Sequence, residues 1–198
     1  MILQKKYLIV FACWIFLIPF AHAQKPKLSL KPPGPGTYSK KELEQDAKNH
    51  NCIHKTRIDF SRISKKYPYN QTSQIQIVSF PDGSLPMADS SVDYSRLKEV
   101  RALDFKQVDS LTDILYNVGF AGRTLTISEA KCYNPRNAIL FINAAGKQFA
   151  FIELCFECER YELSSDKIQF GDICNQKFYM LKKFFRNAGI VHGTGDLW

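Results

Sequence analysis

The sequence lacks the short motifs by which many enzyme active sites are recognised. It contains no G-x-S-x-G, no H-E-x-x-H and no glycine-rich phosphate loop. Histidine is scarce, with four in 198 residues, so no serine or threonine is placed by the sequence beside a histidine base. These absences favour no class of enzyme, and we interpret the protein as non-enzymatic.

Acidic residues are absent from the first 23 residues, which have the three parts of an export signal. Lys5 and Lys6 precede the apolar stretch YLIVFACWIFLIPF, and Ala21-His22-Ala23 follows as a cleavage signal. The apolar stretch is short for a membrane span, and polar chain follows it. We expect residues 1–23 to be a signal peptide, with no transmembrane segment after its removal and a periplasmic, cell-surface or secreted location.

After the signal, the composition changes twice. Residues 24–42 are rich in Pro, Gly, Ser and Lys and are predicted to be a linker, although Ser39-Lys-Lys-Glu42 also fits a helix capping box. Residues 43–198 are predicted to form one domain. The chain without its signal has 25 Lys and Arg against 19 Asp and Glu, a net charge of +6. The basic residues are spread along the chain, so we expect no nucleic-acid partner.

The apolar pattern predicts an α+β fold with a small antiparallel sheet. Residues 73–80 alternate as a strand, and residues 108–118 have helical spacing up to Gly119 as the C-cap. The clearest signal is a β-hairpin over about 137–154, with Ala145-Gly146 as its turn. An amphipathic helix over about 173–188, with Asp172 as its N-cap, is predicted to pack on this hairpin.

Five cysteines remain after the signal, and four of them fall around the hairpin: Cys132, Cys155, Cys158 and Cys174. With residues 144 and 147 flanking the turn, Asn137 faces Leu154. Continuing that pairing brings Cys132 near Cys158. Side chains alternate between the faces of a strand, so Cys155 and Cys158 would point in opposite directions.

We predict that this group forms structural disulfides, because an exported chain lies in an oxidising compartment. The opposite faces favour one bridge between Cys158 and Cys174 and another between Cys132 and Cys155. Cys52 would then be the free thiol. Because five is an odd number, at least one cysteine stays unpaired when the others form disulfides.

Two other interpretations of the cysteine group stay open. The same four cysteines, Cys132, Cys155, Cys158 and Cys174, could hold a structural zinc ion, although only one C-x-x-C pair is present. A redox-active C-x-x-C is a further alternative, but no convincing helix follows the pair and no proline occurs after Pro135.

A few polar residues are secondary candidates. Glu153 and Glu157 lie on one strand face, where a solvated outer face is the usual explanation, and Glu153 is predicted to pair with Arg136. The segment His50-Asn-Cys-Ile-His54 has the residue types of a metal site, with a polar helix end as the simpler interpretation.

The runs CYNPRNAILFINAAGKQFAFIELCFECERY and LKKFFRNAGI resemble small exported or lipoprotein-type proteins of Gram-negative bacteria. In those proteins a C-Y-x-P-R-x-A-I-x-F strand, a glycine turn and an I-E-x-C-F-x-C strand occur together. The resemblance covers about residues 96–192. It implies an architecture and a shared cysteine group rather than an activity.

Two functional hypotheses follow. The first is an exported, non-enzymatic domain that binds an unidentified protein or small ligand of the cell envelope, is stabilised by its cysteines and needs no cofactor. The second is a thiol-redox or zinc-dependent protein that uses Cys132, Cys155, Cys158 and Cys174.

Overall fold

A computed structural model describes residues 38–125 and 131–195. The predicted signal peptide and most of the predicted linker therefore lie outside the described residues. Within them the helices are α1 (Lys40–Asn49), α2 (Phe60–Ile63), α3 (Phe105–Asn117) and α4 (Lys177–Asn187). The strands are β1 (Cys52–His54), β2 (Gln74–Ser79), β3 (Met87–Ala88), β4 (Ser91–Val92), β5 (Glu99–Ala102), β6 (Val118–Phe120), β7 (Asn137–Ile142), β8 (Gln148–Cys155) and β9 (Arg160–Leu163).

The predicted α+β class is confirmed. Five strands form one antiparallel sheet in the order β5-β2-β7-β8-β9, and β1–β6 and β3–β4 form separate two-stranded ladders. The capping box at the start of α1 is also confirmed, because Ser39 and Glu42 bond to each other's backbone amides.

The central hairpin has the predicted register over most of its length. Asn137 faces Leu154, and the same pairing continues to Phe141 opposite Ala150. Near the turn the prediction is wrong by one residue. The turn holds three residues rather than two. The Asn143 amide closes it by donating a hydrogen bond to the Lys147 carbonyl oxygen at 3.0 Å. A bulge beside Ile142 then restores the predicted register.

The other end of the hairpin differs more. The sequence predicts that the strand continues through Cys158, but β8 ends at Cys155 and the chain turns back over residues 156–159. Glu159 closes this turn with φ of +48°. Strand β9 then runs beside β8, with Cys155 opposite Arg160.

Every residue of β7 is buried, so the sheet needs a cover on both faces. Helices α3 and α4 cover one face, where Leu115, Leu181 and Phe185 pack against Ile139 and Ile152. The segment between β2 and β5 covers the other face. There Phe80, Leu85 and Val92 pack against Ala138, Leu140 and Ile142.

The C-terminal segment after α4 is fastened to the edge of the sheet. Glu99 on β5 accepts hydrogen bonds from the backbone amide of Val191 at 3.1 Å and from that of His192 at 3.0 Å. Nε2 of His192 lies 2.9 Å from the Phe80 carbonyl oxygen, so Nε2 carries the proton and donates there.

The helix ends differ from those predicted. Helix α3 ends at Asn117, and Gly119 is not its cap but lies within β6. Helix α4 begins at Lys177, and Asp172 does not cap it. Asp172 instead contacts the ammonium of Lys55, which holds the pKa of that carboxyl below its usual value.

The end of α3 is capped by a buried lysine from the neighbouring helix. Nζ of Lys177 donates to the carbonyl oxygens of Ile114 at 2.6 Å, Leu115 at 2.9 Å and Val118 at 2.8 Å. Ile114 and Leu115 lie in the last turn of α3, where carbonyls lack partners inside the helix, and a cation is favoured at a helix C-terminus. Burial lowers the pKa of Lys177 to about 8, so the ammonium keeps its proton and its three donors at neutral pH.

We predict that Lys177→Met destabilises the fold strongly. The variant keeps the length and packing of the side chain but leaves the Leu115 and Val118 carbonyls buried without a donor, which costs about 1–3 kcal/mol for each such group. Urea unfolding should therefore show a loss of about 2–5 kcal/mol in the free energy of unfolding. Lys183→Met, an exposed change on the same helix, is the control and should stay within about 0.5 kcal/mol. Equal stability of the two variants would show that Lys177 does not cap α3.

Candidate functional site

The cysteines form two disulfides that join distant parts of the chain. Cys52 bonds to Cys174, with a Cα–Cα distance of 5.0 Å, and Cys132 bonds to Cys158, with a Cα–Cα distance of 5.7 Å. Cys155 is a free thiol with 1% of its surface exposed. The set of structural cysteines is thus largely as predicted, with Cys52 added and Cys155 left over.

The predicted pairing is wrong in both bridges. Cys158 bonds to Cys132, which the predicted register already places near it, rather than to Cys174. Because β8 ends at Cys155, the alternation of strand faces that favours the other pairing does not extend to Cys158. Cys174 bonds to Cys52 because β1 lies beside the segment that precedes α4. There the amide of Cys52 donates to Oε1 of Gln176 at 2.8 Å.

The four-cysteine zinc site, the alternative that the sequence leaves open, is not assembled. Its members are divided between two disulfides and one thiol. Over residues 38–125 and 131–195 no three His, Cys, Asp or Glu side chains come together in a way that could hold a metal ion. The histidines beside Cys52 have different partners, since His50 Nε2 lies 3.6 Å from Asp46 and His54 Nε2 lies 3.4 Å from Asp113.

The free thiol of Cys155 lies beneath the chain that leads into β7. Its Sγ accepts a hydrogen bond from the Asn134 amide at 3.4 Å. Cys155 is not bonded to Cys158, so the C-x-x-C pair is not a disulfide. The site therefore combines a buried free thiol with a disulfide whose Cys158 lies three residues further along the chain.

The sequence predicts that Glu153 lies on a solvated outer face of the strand. In the structure Glu153 is instead buried, with 4% of its surface exposed. Its Oε2 accepts a hydrogen bond from the Tyr133 hydroxyl at 2.9 Å, and its Oε1 accepts one from the Leu85 amide. Burial raises the pKa of Glu153, Glu162 on the neighbouring strand adds to the effect, and the two hydrogen bonds oppose it. Burial and the nearby Glu153 carboxylate also raise the pKa of Tyr133.

The predicted pairing of Arg136 with Glu153 is wrong. Arg136 pairs with two other carboxylates. Its Nε contacts Asp82 and its Nη1 contacts Glu157. Both carboxylates are largely exposed, while the Arg136 side chain is 22% exposed. Arg136 therefore links the loop after β2 to the turn after β8.

We call this region, defined by Cys132, Tyr133, Arg136, Glu153, Cys155, Glu157 and Cys158, the cysteine end of the hairpin. Its polar groups satisfy one another, and each contact ties the hairpin to a neighbouring segment. This arrangement therefore stabilises the fold, and Cys155 is the residue in it that keeps a free thiol.

Two cavities lie elsewhere, and the sequence does not predict either of them, because each depends on how distant elements pack. The larger is an open groove of about 510 Å³ between α3 and α4. The smaller, of about 200 Å³, lies between the segment 58–69 and Tyr116, with Lys66 and Lys167 also lining it. A groove of the first size is within the range of about 300–1,000 Å³ that small-molecule sites occupy.

Comparison with protein-family models, with curated proteins and with solved structures finds no match to this chain. Within the ranges that the structure describes, no helix is both long and apolar enough to span a membrane.

We predict that Glu153→Gln changes how stability depends on pH. The folded-state pKa of Glu153 is raised above 4.5, so between pH 4.5 and that pKa the folded state binds more protons than the unfolded state. The stability that this group contributes is complete below pH 4.5 and is lost as the pH rises through the folded pKa. Urea unfolding between pH 4.5 and 8 should show the wild type losing stability relative to Glu153→Gln.

The control is Glu44→Gln, which removes an exposed carboxylate from α1. Its profile should follow that of the wild type. Profiles for Glu153→Gln and the wild type that run parallel over this range would contradict the assigned environment of Glu153.

Proposed function

We propose that this protein is an exported, non-enzymatic binding domain of the bacterial cell envelope, stabilised by its disulfides. The observation that carries the proposal is the pair of bridges Cys52–Cys174 and Cys132–Cys158 within one domain. Cytosolic thiols are kept reduced, so two structural disulfides are typical of a protein that folds after export. The signal-like residues 1–23 support the same compartment.

Binding is favoured over catalysis by where the spare side chains lie. At the cysteine end, the carboxylates and Arg136 are bonded to each other or to the backbone. In the α3–α4 groove, the ammonium groups of Lys106 and Lys183 form no hydrogen bond or ion pair with any residue that the structure describes. Groups that are exposed and uncommitted are the ones that a ligand can engage.

The proposal includes kinship with the exported or lipoprotein-type bacterial proteins that have the C-Y-x-P-R…I-E-x-C-F-x-C hairpin. In this chain the matching residues form β7, β8 and the turn that holds Cys158. That hairpin is the centre of the sheet, which supports a shared architecture and does not assign an activity.

The second candidate function is thiol exchange, and the free thiol of Cys155 favours it. Attack of the Cys155 thiolate on Sγ of Cys158 would form a Cys155–Cys158 bond and release Cys132 as a thiolate. The number of free thiols stays at one in this step, so no oxidant or reductant is consumed. Its obstacle is burial, since Cys155 is 1% exposed.

The test is to export the protein through its own residues 1–23, purify it without reductant and map its cysteines by peptide mass spectrometry. We expect an N-terminus at Gln24, the bridges Cys52–Cys174 and Cys132–Cys158, one free thiol at Cys155 and no stoichiometric zinc. Cys155→Ala, the matched variant, should keep both bridges and show no free thiol.

Other results would overturn the proposal. Five free thiols with one equivalent of zinc would show the metal protein of the alternative hypothesis. A protein that stays in the cytosol with residues 1–23 uncleaved would contradict the proposed export. A Cys155–Cys158 bond that exchanges readily with glutathione buffers of mid-range potential would favour the thiol-exchange function instead.

A further inference from the structure

We propose that the groove between α3 and α4 binds a single-chain amphipathic carboxylate, such as a free fatty acid, with its chain on the groove floor and its carboxylate between two lysines. This inference rests on the proposed binding function and names the ligand class. It is carried by three features of the groove: its size, its apolar floor and the sign of its charge.

The floor of the groove is apolar and recessed. Ile114 of α3 faces Met180 and Phe184 of α4 across it, and Phe184 is only 9% exposed. The cavity of about 510 Å³ is large enough for one flexible chain. A flat bilayer surface meets only the rim of such a groove, whereas a single acyl chain can follow its floor. These features favour a monomeric ligand over a membrane.

The charge of the groove is of one sign. Lys106 from α3 and Lys183 from α4 line it, together with polar side chains, and none of the described residues that line it is acidic. Two exposed ammonium groups beside an apolar floor complement a ligand that has one anionic group and one apolar chain.

The same charge argues against two other occupants. Residues 24–37 of this chain contain Lys25, Lys27 and Lys31 and no acidic residue, so their charge does not complement the groove. A second copy of the protein that docked groove to groove would bring Lys106 and Lys183 toward their own equivalents. Both occupants would place like charges together in the groove.

The experiment is calorimetric titration of the disulfide-bonded protein with octanoate, decanoate and dodecanoate below their micelle concentrations, with dodecyltrimethylammonium as the matched cationic ligand. We expect one site for the carboxylates and an affinity that rises by up to about fourfold for each added methylene. The cationic ligand should bind at least tenfold more weakly than dodecanoate. Equal binding of the two ligands, or none of the carboxylate, would overturn the proposal.

Paired variants locate the site. Lys183→Met should weaken dodecanoate binding by about two- to fivefold. Lys182→Met changes the adjacent lysine, which does not line the groove, and should bind as the wild type does. Equal effects of the two changes would show that binding depends on the overall charge of the protein rather than on the groove.

A second pair tests the floor. Ser110→Trp places a bulky ring in the groove and should abolish the dependence on chain length. Leu43→Trp adds the same ring at an exposed position on α1 and should leave binding unchanged. Circular dichroism and thermal melts confirm that each variant folds. Unchanged binding by a folded Ser110→Trp would overturn the proposal.

Three further measurements separate the other occupants. They are flotation with phosphatidylglycerol vesicles in the absence of free carboxylate, titration with an acidic peptide, and sedimentation of the protein alone. We expect that none of them detects an interaction that is present in the wild type and lost in Ser110→Trp. An interaction of that kind would replace the carboxylate as the occupant. Correct export and disulfides without carboxylate binding would leave the proposed function standing and overturn this ligand alone.

Discussion

Strand β7 is buried along its whole length, and this constraint determines how the rest of the chain is arranged. A strand with no polar face cannot expose either face to solvent, so both faces of the sheet must be covered. The chain supplies the two covers from different places. One is the helix pair α3 and α4, and the other is the irregular segment between β2 and β5.

Each cover is held in place by specific contacts as well as by apolar packing. On the helical side, the Lys177 ammonium joins α4 to the end of α3, and the Cys52–Cys174 bridge holds the start of α4 against β1. On the other side, Glu153 accepts the Leu85 amide, and Arg136 joins the loop after β2 to the turn after β8. Glu153 and Arg136, which are secondary polar candidates in the sequence, thus attach the irregular cover to the sheet and to the turn after β8.

The sequence predicts the parts of the fold whose signals are local. The class, the hairpin and its register from Asn137 to Phe141 follow from alternation and from one glycine turn. The turn after Cys155 is missed because Phe156-Glu-Cys-Glu159 contains no Gly, Pro or Asn, although Glu159 adopts positive φ. The same turn ends the alternation of strand faces from which the pairing of Cys158 is predicted. The pairing of Cys52 with Cys174 depends on a contact between residues 122 apart, which no local pattern contains.

Glu153 illustrates the same limit for the site. Alternation along β8 correctly assigns it to the face opposite Ile152, but whether that face is solvated depends on a loop nearly 70 residues earlier that reaches over it. Once that loop is in place, Glu153 is buried, and its carboxylate accepts hydrogen bonds from the Tyr133 hydroxyl and the Leu85 amide. The uncommitted charges lie instead on the outer side of the helical cover, where Lys106 and Lys183 flank an apolar groove. The proposed binding function therefore fits the surface of α3 and α4 better than the cysteines that dominate the sequence.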